Sequence, residues 1–414
     1  MPRTGLKTSP ELSIKLDDPI ASHYPGETVT GEIIRRIHTV STRAWITIRL
    51  YGRTKSKLTI RRNNGNNTTT HHYRGRFNLF APNEICQKVY DGPVHIPPSG
   101  GPQTWRFALI IPTAPSPRSV KMGNLQDRSF LPLNDANIAA SSLPSTFAFE
   151  SAGWRERFHC FVEYYLEAEF RQENSSHVTK AVVPIPMRTA SIPYPFENFD
   201  LHTRKYSGCI KTQRLIPGME NAELSFRQKT QKLFGSSKVP QFSFSVQVDY
   251  PTIIQMQNPN PISFQIRIVP DRARTSNDIL DVPQTIKITS LSMEIQATTS
   301  IICDATFSSR TANGTEKYNF ANKMTVLGDR SPITISPDPD ANALDLGALL
   351  ELSLHPRHAN ARGRALLQFG QLYPSFVTYN IKHSHRLRWQ LTLEVAGESA
   401  EFTGEQAVSI LDAS

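Results

Sequence analysis

The chain has 414 residues, 38% hydrophobic and 20% charged, and 30 are proline, proportions that suit a folded soluble protein rich in turns. No run approaches the roughly 20 apolar residues that a membrane-spanning helix needs. The net charge of +10, from 46 basic and 36 acidic residues, favours acidic partners: anionic lipid headgroups, phosphorylated tails or nucleic acid.

The length predicts two domains of roughly 200 residues each. Cys86, Cys160, Cys209 and Cys303 are far apart and fit no metal spacing. Cys160 and Cys303 lie in apolar company and read as buried, reduced thiols, which fits a cytosolic setting. The start, Met1-Pro2-Arg3-Thr4-Gly5, lacks an apolar stretch, so secretion is not expected and any membrane contact is expected to be peripheral.

In chain order, Leu12 to Leu16 alternates as a first strand, ended by Asp17-Asp18-Pro19, and Tyr24-Pro25-Gly26-Glu27 has the composition of a turn. Strands follow at Val29 to Ile34 and Ala44 to Tyr51, where Ile46, Ile48 and Leu50 share a face. The stretch from Arg53 to Arg76 is polar, with RRNNGNNTTTHHYRGR at its heart. No apolar face passes through that centre, so a mobile loop is expected. Trp105 to Ile111 is a strand closed by Pro112, and Thr113 to Ser142, aperiodic and proline-bearing, reads as an inserted loop. Leu143 to Phe170 opens with Leu-Pro-Ser-x-Phe and continues as a regular strand. Cys160, Val162, Tyr164, Leu166, Ala168 and Phe170 alternate with a second set that includes Glu163, Glu167 and Glu169. Period two predicts one buried face and one wet face. Val178 to Met187, interrupted by Pro184 and Pro186, suits an edge strand.

Residues 191–240 read as a connector, with a short helix expected between Ser225 and Gly235 from a capping-box pattern. The second half then repeats the grammar of the first. Phe242, Phe244, Val246 and Val248 alternate, a Pro259-Asn260-Pro261 turn leads into Ile262 to Ile268, and a late strand alternates Leu387, Trp389, Leu391, Leu393 and Val395. The predicted fold is therefore all-β: two tandem antiparallel immunoglobulin-like sandwiches, over 10–190 and 241–412, with at most one short connector helix.

Catalytic signatures are missing. The sequence holds no G-x-S-x-G, no P-loop and no G-x-G-x-x-G after a strand. His71-His72 read as a solvated loop pair and His383 with His385 as sheet surface, so no metal is expected at either. Basic residues are spread across both halves without a compact aromatic–basic face, and no nucleic acid partner is expected.

The order of several motifs resembles the arrestin superfamily, and within it the fungal arrestin-related (alpha-arrestin) proteins. They are Tyr24-Pro25-Gly26-Glu27 before Val29-Thr30-Gly31, Ile48-Arg49-Leu50-Tyr51-Gly52, Trp105-Arg106-Phe107 leading to Ile111-Pro112, and Leu143-Pro144-Ser145-x-Phe147 before Val162-Glu163-Tyr164. In the second half they are Pro374-Ser375-Phe376 and Thr378-Tyr379-Asn380-Ile381. The resemblance implies two arrestin-like domains and a non-enzymatic cytosolic adaptor without cofactors. Such a protein acts transiently at the plasma membrane or endosomes. It binds cytosolic tails of transporters or receptors, with anionic lipid as a further partner, and promotes their ubiquitination, endocytosis and sorting. A signalling scaffold of the ambient-pH type is the alternative, and a sandwich enzyme or carbohydrate-binding protein a more distant one. Pro97-Pro98 is followed by Ser99-Gly100, so the ligase-recruiting Pro-Pro-x-Tyr is missing and ligase contact is expected to be indirect. Lys180 is the nearest counterpart of the arginine that triggers phosphate activation in visual and beta-arrestins, and that mechanism is not carried over. The resemblance places a cargo-probing loop after Leu50-Tyr51-Gly52, which makes Arg61, Arg62, Arg74 and Arg76 the candidate contacts for acidic cargo or lipid.

Overall fold

The computed structural model describes residues 4–8, 11–19, 22–65, 67–81, 83–98, 100–173, 175–189, 194–219, 239–305, 308–321, 333–338, 342–361, 364–368 and 370–412. The chain divides into two compact units. The first is Met1–Ser191 with Thr298–Thr315 and Phe376–His383; the second is Ile192–Ala297 with Glu316–Ser375 and Ser384–Ser414.

In the first unit, β1 (Ser13–Leu16), β2 (Thr28–Arg35), β3 (Thr39–Asn64), β4 (Asn67–Asn78), β5 (Cys86–Ile96), β6 (Gln103–Ile110), β7 (Phe147–Ala152), β8 (Glu156–Gln172) and β9 (Thr179–Ile185) form two sheets. One has the order β1-β2-β6. The other is built on β3 and β8, antiparallel from Ala44↔Gln172 to Ile60↔Glu156. Strands β5 and β4 pair successive halves of β3, and β9 and β7 pair successive halves of β8. Period-two alternation sends Ile46, Ile48 and Leu50 of β3, Val162, Tyr164 and Leu166 of β8, and Trp105, Phe107 and Leu109 of β6 into the core, all buried. Each fully buried aliphatic or aromatic side chain contributes about 1.5–3 kcal/mol.

The Leu-Pro-Ser-x-Phe motif is a structural joint. Ser145 Oγ accepts from the Thr189 amide at 2.9 Å, Tyr164 donates its hydroxyl proton to the Pro144 carbonyl at 2.8 Å, and the buried Phe147 ring packs 4.9 Å from Phe376.

Three expectations change. The second face of β8 is not wet at Glu163 and Glu169, which are both 4% exposed. Their carboxylates are covered because cations and the N-terminal segment fold over them. Arg53 and the Thr4 amide bond Glu163, while Arg49, Arg171 and Lys180 bond Glu169. The 53–76 stretch is not a loop. Strands β3 and β4 pair without interruption from Arg53↔Asn78 to Asn64↔Asn67, turning at Gly65 with φ 64°. Gly65 takes the first turn position, where a positive φ is cheap for glycine, and the root of the hairpin is anchored by the buried Thr54, Ser56 and Leu58. The 113–142 stretch contains two short helices, Pro117–Lys121 and Asp135–Ala140. Ser116 and Asn134 cap them, and the buried Val120 and Ile138 pin them.

The second unit holds two facing sheets and a smaller third one of Ser353–Leu354, His358–Ala361 and Arg364–Gln368. Leu201–Lys211 pairs along its whole length with Gln241–Pro251, which pairs with Gln265–Pro270. Facing them, Glu398–Leu411 pairs with Ile381–Val395, whose 390–395 portion pairs with 286–292. Trp389, Phe244, Phe264 and Leu391 lie in one buried cluster. The first part of the expected connector is therefore a full strand of the second unit, since Tyr206, Gly208 and Ile210 alternate toward that core. The expected helix at 225–235 lies outside the described residues. One more short helix, Leu346–Leu349, is capped by Asp345. No helix among the described residues is long and apolar enough to cross a membrane.

Candidate functional site: a basic sheet face

The hairpin displays its charge in register. Arg76 stands opposite Lys55 and Arg74 opposite Lys57, while His72 faces Thr59 and Thr70 faces Arg61. On the other side of β3, Phe161, His159 and Arg157 of β8 oppose Lys55, Lys57 and Thr59. Alternation therefore collects Lys55, Lys57, Arg61, Arg74, Arg76 and Arg157 on one face. Arg62 points to the other face, as the neighbour of Arg61. Among the described residues, none of Lys55, Lys57, Arg61, Arg74 and Arg157 has a carboxylate partner, and Arg76 donates only to Asn78 at 3.0 Å. On β3, β4 and β8 the last carboxylate toward the tip on this face is Glu163, already paired with Arg53. On neighbouring strands, Glu150 of β7 stands opposite His159, and Asp304 stands opposite Arg74 but is paired with Arg128 at 3.4 Å.

Like charges directly opposite one another cost a sheet stability, so the fold gains nothing from this ladder. Burial first, and the neighbouring cations second, shift two groups of this face. Burial, then Arg53 and Arg76, push the Lys55 ammonium down to about 8, against the smaller pull of Glu163. The Lys55 nitrogen lies 5.8 Å from the Phe161 ring centroid. The His72 ring is also lowered, by desolvation and then by Lys57, Arg74, Arg157 and His71. By contrast, the ladder's upper end is neutralised. Burial raises the Glu169 carboxyl, but hydrogen bonds from Lys180, Arg49 and Arg171 outweigh it and hold it at about 2. Lys180 is thus committed to Glu167 at 2.9 Å and Glu169 at 2.7 Å.

All four expected arginines are exposed on the hairpin, and the register brings Arg61, Arg74 and Arg76 to one face. Sequence reading missed Lys55, Lys57 and Arg157. The alternation Arg53-Lys55-Lys57 against Thr54-Ser56-Leu58 carries the signal, which is hidden when the stretch is read as a loop.

The opposite face of the hairpin root is covered within the same unit. The fully buried Asn380 accepts from Thr54 Oγ1 at 2.5 Å and donates to Ser56 at 2.9 Å, while Ser56 donates to the Ile302 carbonyl at 2.7 Å. Tyr379 stacks on Phe77 at 5.1 Å. Gly75 is required there, because a Cβ would lie 2.6 Å from the Ile302 oxygen.

The histidine pair expected on a sheet surface is buried instead. His383 and His385 are 1% and 2% exposed. Strand alternation turns both inward, where Thr299 and Ser375 bond them at 2.9 and 2.7 Å, and burial pushes His383 down to about 4. His71 and His72 lie exposed on β4, a strand and not a loop. No group of three or more His, Cys, Asp or Glu side chains suited to a metal occurs among the described residues. Cys160 and Cys303 are buried free thiols. In the second unit a cavity of about 770 Å³ is lined by residues including Arg204, Tyr206, Trp389 and Glu405. In its wall Trp389 is only 3% exposed, and Arg388 Nε is bound to Glu405 at 2.8 Å.

No curated protein matches the chain. Residues 12–185, from the start of β1 to the end of β9, match the family model described as Arrestin (or S-antigen), N-terminal domain. The match supports arrestin superfamily membership, and the described fold, predominantly strand in both units, is consistent with it.

Proposed function

We propose that this protein is a non-enzymatic adaptor of the alpha-arrestin kind, which captures acidic or phosphorylated cytosolic tails of membrane transporters or receptors. It then passes them to ubiquitination, endocytosis and sorting through an intermediary ligase contact. An arrestin domain supports an adaptor or scaffold role in trafficking generally. The observation that carries the finer reading is the uncompensated ladder of Lys55, Lys57, Arg61, Arg74, Arg76 and Arg157 on a rigid sheet. Guanidinium and ammonium donors spaced along strands match the oxygens of an extended acidic peptide.

The test is a titration of the full chain with an acidic phosphopeptide and its neutral counterpart. The phosphopeptide should bind preferentially and in a salt-sensitive way. A Lys57→Ala, Arg61→Ala, Arg74→Ala, Arg76→Ala variant should bind it about tenfold or more weakly at low salt. Equal affinity in the variant would overturn the assignment of this face.

A further inference from the structure

Trp154 is 85% exposed, the most exposed large hydrophobic side chain described. It occupies the turn between β7 and β8, a turn held tight at Gly153, where a Cβ would lie 2.3 Å from the Glu156 carbonyl oxygen. The indole makes no ring contact and has no polar partner among the described residues. The turn is not isolated. The Arg61 amide donates to the Arg155 carbonyl at 2.8 Å, so the β7–β8 turn is fastened to the side of the β3–β4 hairpin. Two hairpin ends therefore form one platform. Arg61, Arg155 and Arg157 are exposed on these two hairpin ends, with Arg155 next to Trp154 in the chain, Arg62 on the other face of the hairpin, and Glu156 the acid among them.

We propose that this platform docks on an anionic membrane surface, with Trp154 as the interfacial anchor. An indole has an apolar body and a polar N–H, which favours the headgroup level of a bilayer. Basic side chains beside it add attraction to anionic lipid, each within a Debye length of the surface. A single tryptophan on a convex turn suits a penetrable, fluid surface. A folded partner would need a preformed pocket of matching shape, and an acidic peptide would take the basic ladder without using the indole. The inference goes beyond the cargo reading and does not depend on it.

The experiment adds the full-length protein to phosphatidylcholine vesicles with and without phosphatidylserine, following tryptophan emission and co-sedimentation. Trp45, Trp105 and Trp389 contribute a background that Trp154→Phe and Trp154→Ala variants subtract. Expected are a blue shift on the anionic vesicles alone, loss of that shift in both variants, and about tenfold weaker partitioning of Trp154→Ala. Trp154→Ala should bind the acidic phosphopeptide like the wild type. Absent partitioning, or equal partitioning and emission change in wild type and Trp154→Ala, would overturn the proposal. So would a Trp154→Ala variant that loses the peptide and keeps the vesicles, since Trp154 would then belong to a protein site. Failure of the cargo reading shows separately, as equal phosphopeptide affinity in the ladder variant.

Discussion

Lys55 sits partly buried between Arg53 and Arg76, and its ammonium titrates near 8, well below the ordinary lysine value of 10.5. The sign of the consequence follows. Between about 8 and 10.5 the unfolded chain holds a proton that the folded chain has released, so this group makes the fold more stable as pH rises through that window. Binding behaves oppositely. The free protein loses a positive charge from the ladder as pH rises through about 8, so affinity for an acidic phosphopeptide should fall between pH 7 and 9. Lys55→Arg, whose guanidinium keeps its charge, should flatten that dependence, as read by peptide anisotropy at constant ionic strength. A profile that stays steep in Lys55→Arg would assign the pH dependence to another group. Lys55 itself was not among the arginines that the sequence singled out, since its partial burial comes from neighbours on two other strands.

At the scale of elements, the β3–β4 hairpin unites the site and the fold. Its outer face holds the cationic ladder, and its inner root is fastened by the buried polar pair Thr54 and Ser56 to Asn380. Asn380→Ala should lower stability by about 1–3 kcal/mol, because Thr54 and Ser56 each lose a partner where water does not reach. Thermal unfolding measures this, and an unchanged melting temperature would mean that the root is not held there. Gly75→Ala should destabilise the same root by forcing a methyl group toward the Ile302 carbonyl. The motif Thr378-Tyr379-Asn380-Ile381, met in the sequence as a family signal, thus has a physical task in covering the hairpin root. The Leu-Pro-Ser-x-Phe motif has a comparable task at the head of β7. Neither motif touches the candidate contact surface.

At the scale of the whole molecule, the first unit is assembled from three separate pieces of chain, and Thr298–Thr315 and Phe376–His383 belong to it. A fragment ending at residue 190 should therefore leave Thr54, Ser56, Phe77 and Phe147 without their cover. It should bind a hydrophobic dye and aggregate where the full chain does not; a soluble, cooperatively unfolding fragment would contradict this. The sequence by itself determined the fold class, because period-two alternation and turn chemistry are local and survive without knowledge of partners. It also carried the arrestin resemblance, through the order of its motifs, and singled out four arginines that lie exposed in the structure. Only the tertiary structure decided the rest. It paired the 53–76 stretch into strands, turned His383 and His385 inward, buried Glu163 and Glu169 beneath cations, and set Lys55, Lys57 and Arg157 beside the expected arginines. Each of these depends on which strand lies next to which, a non-local fact that no window of sequence contains.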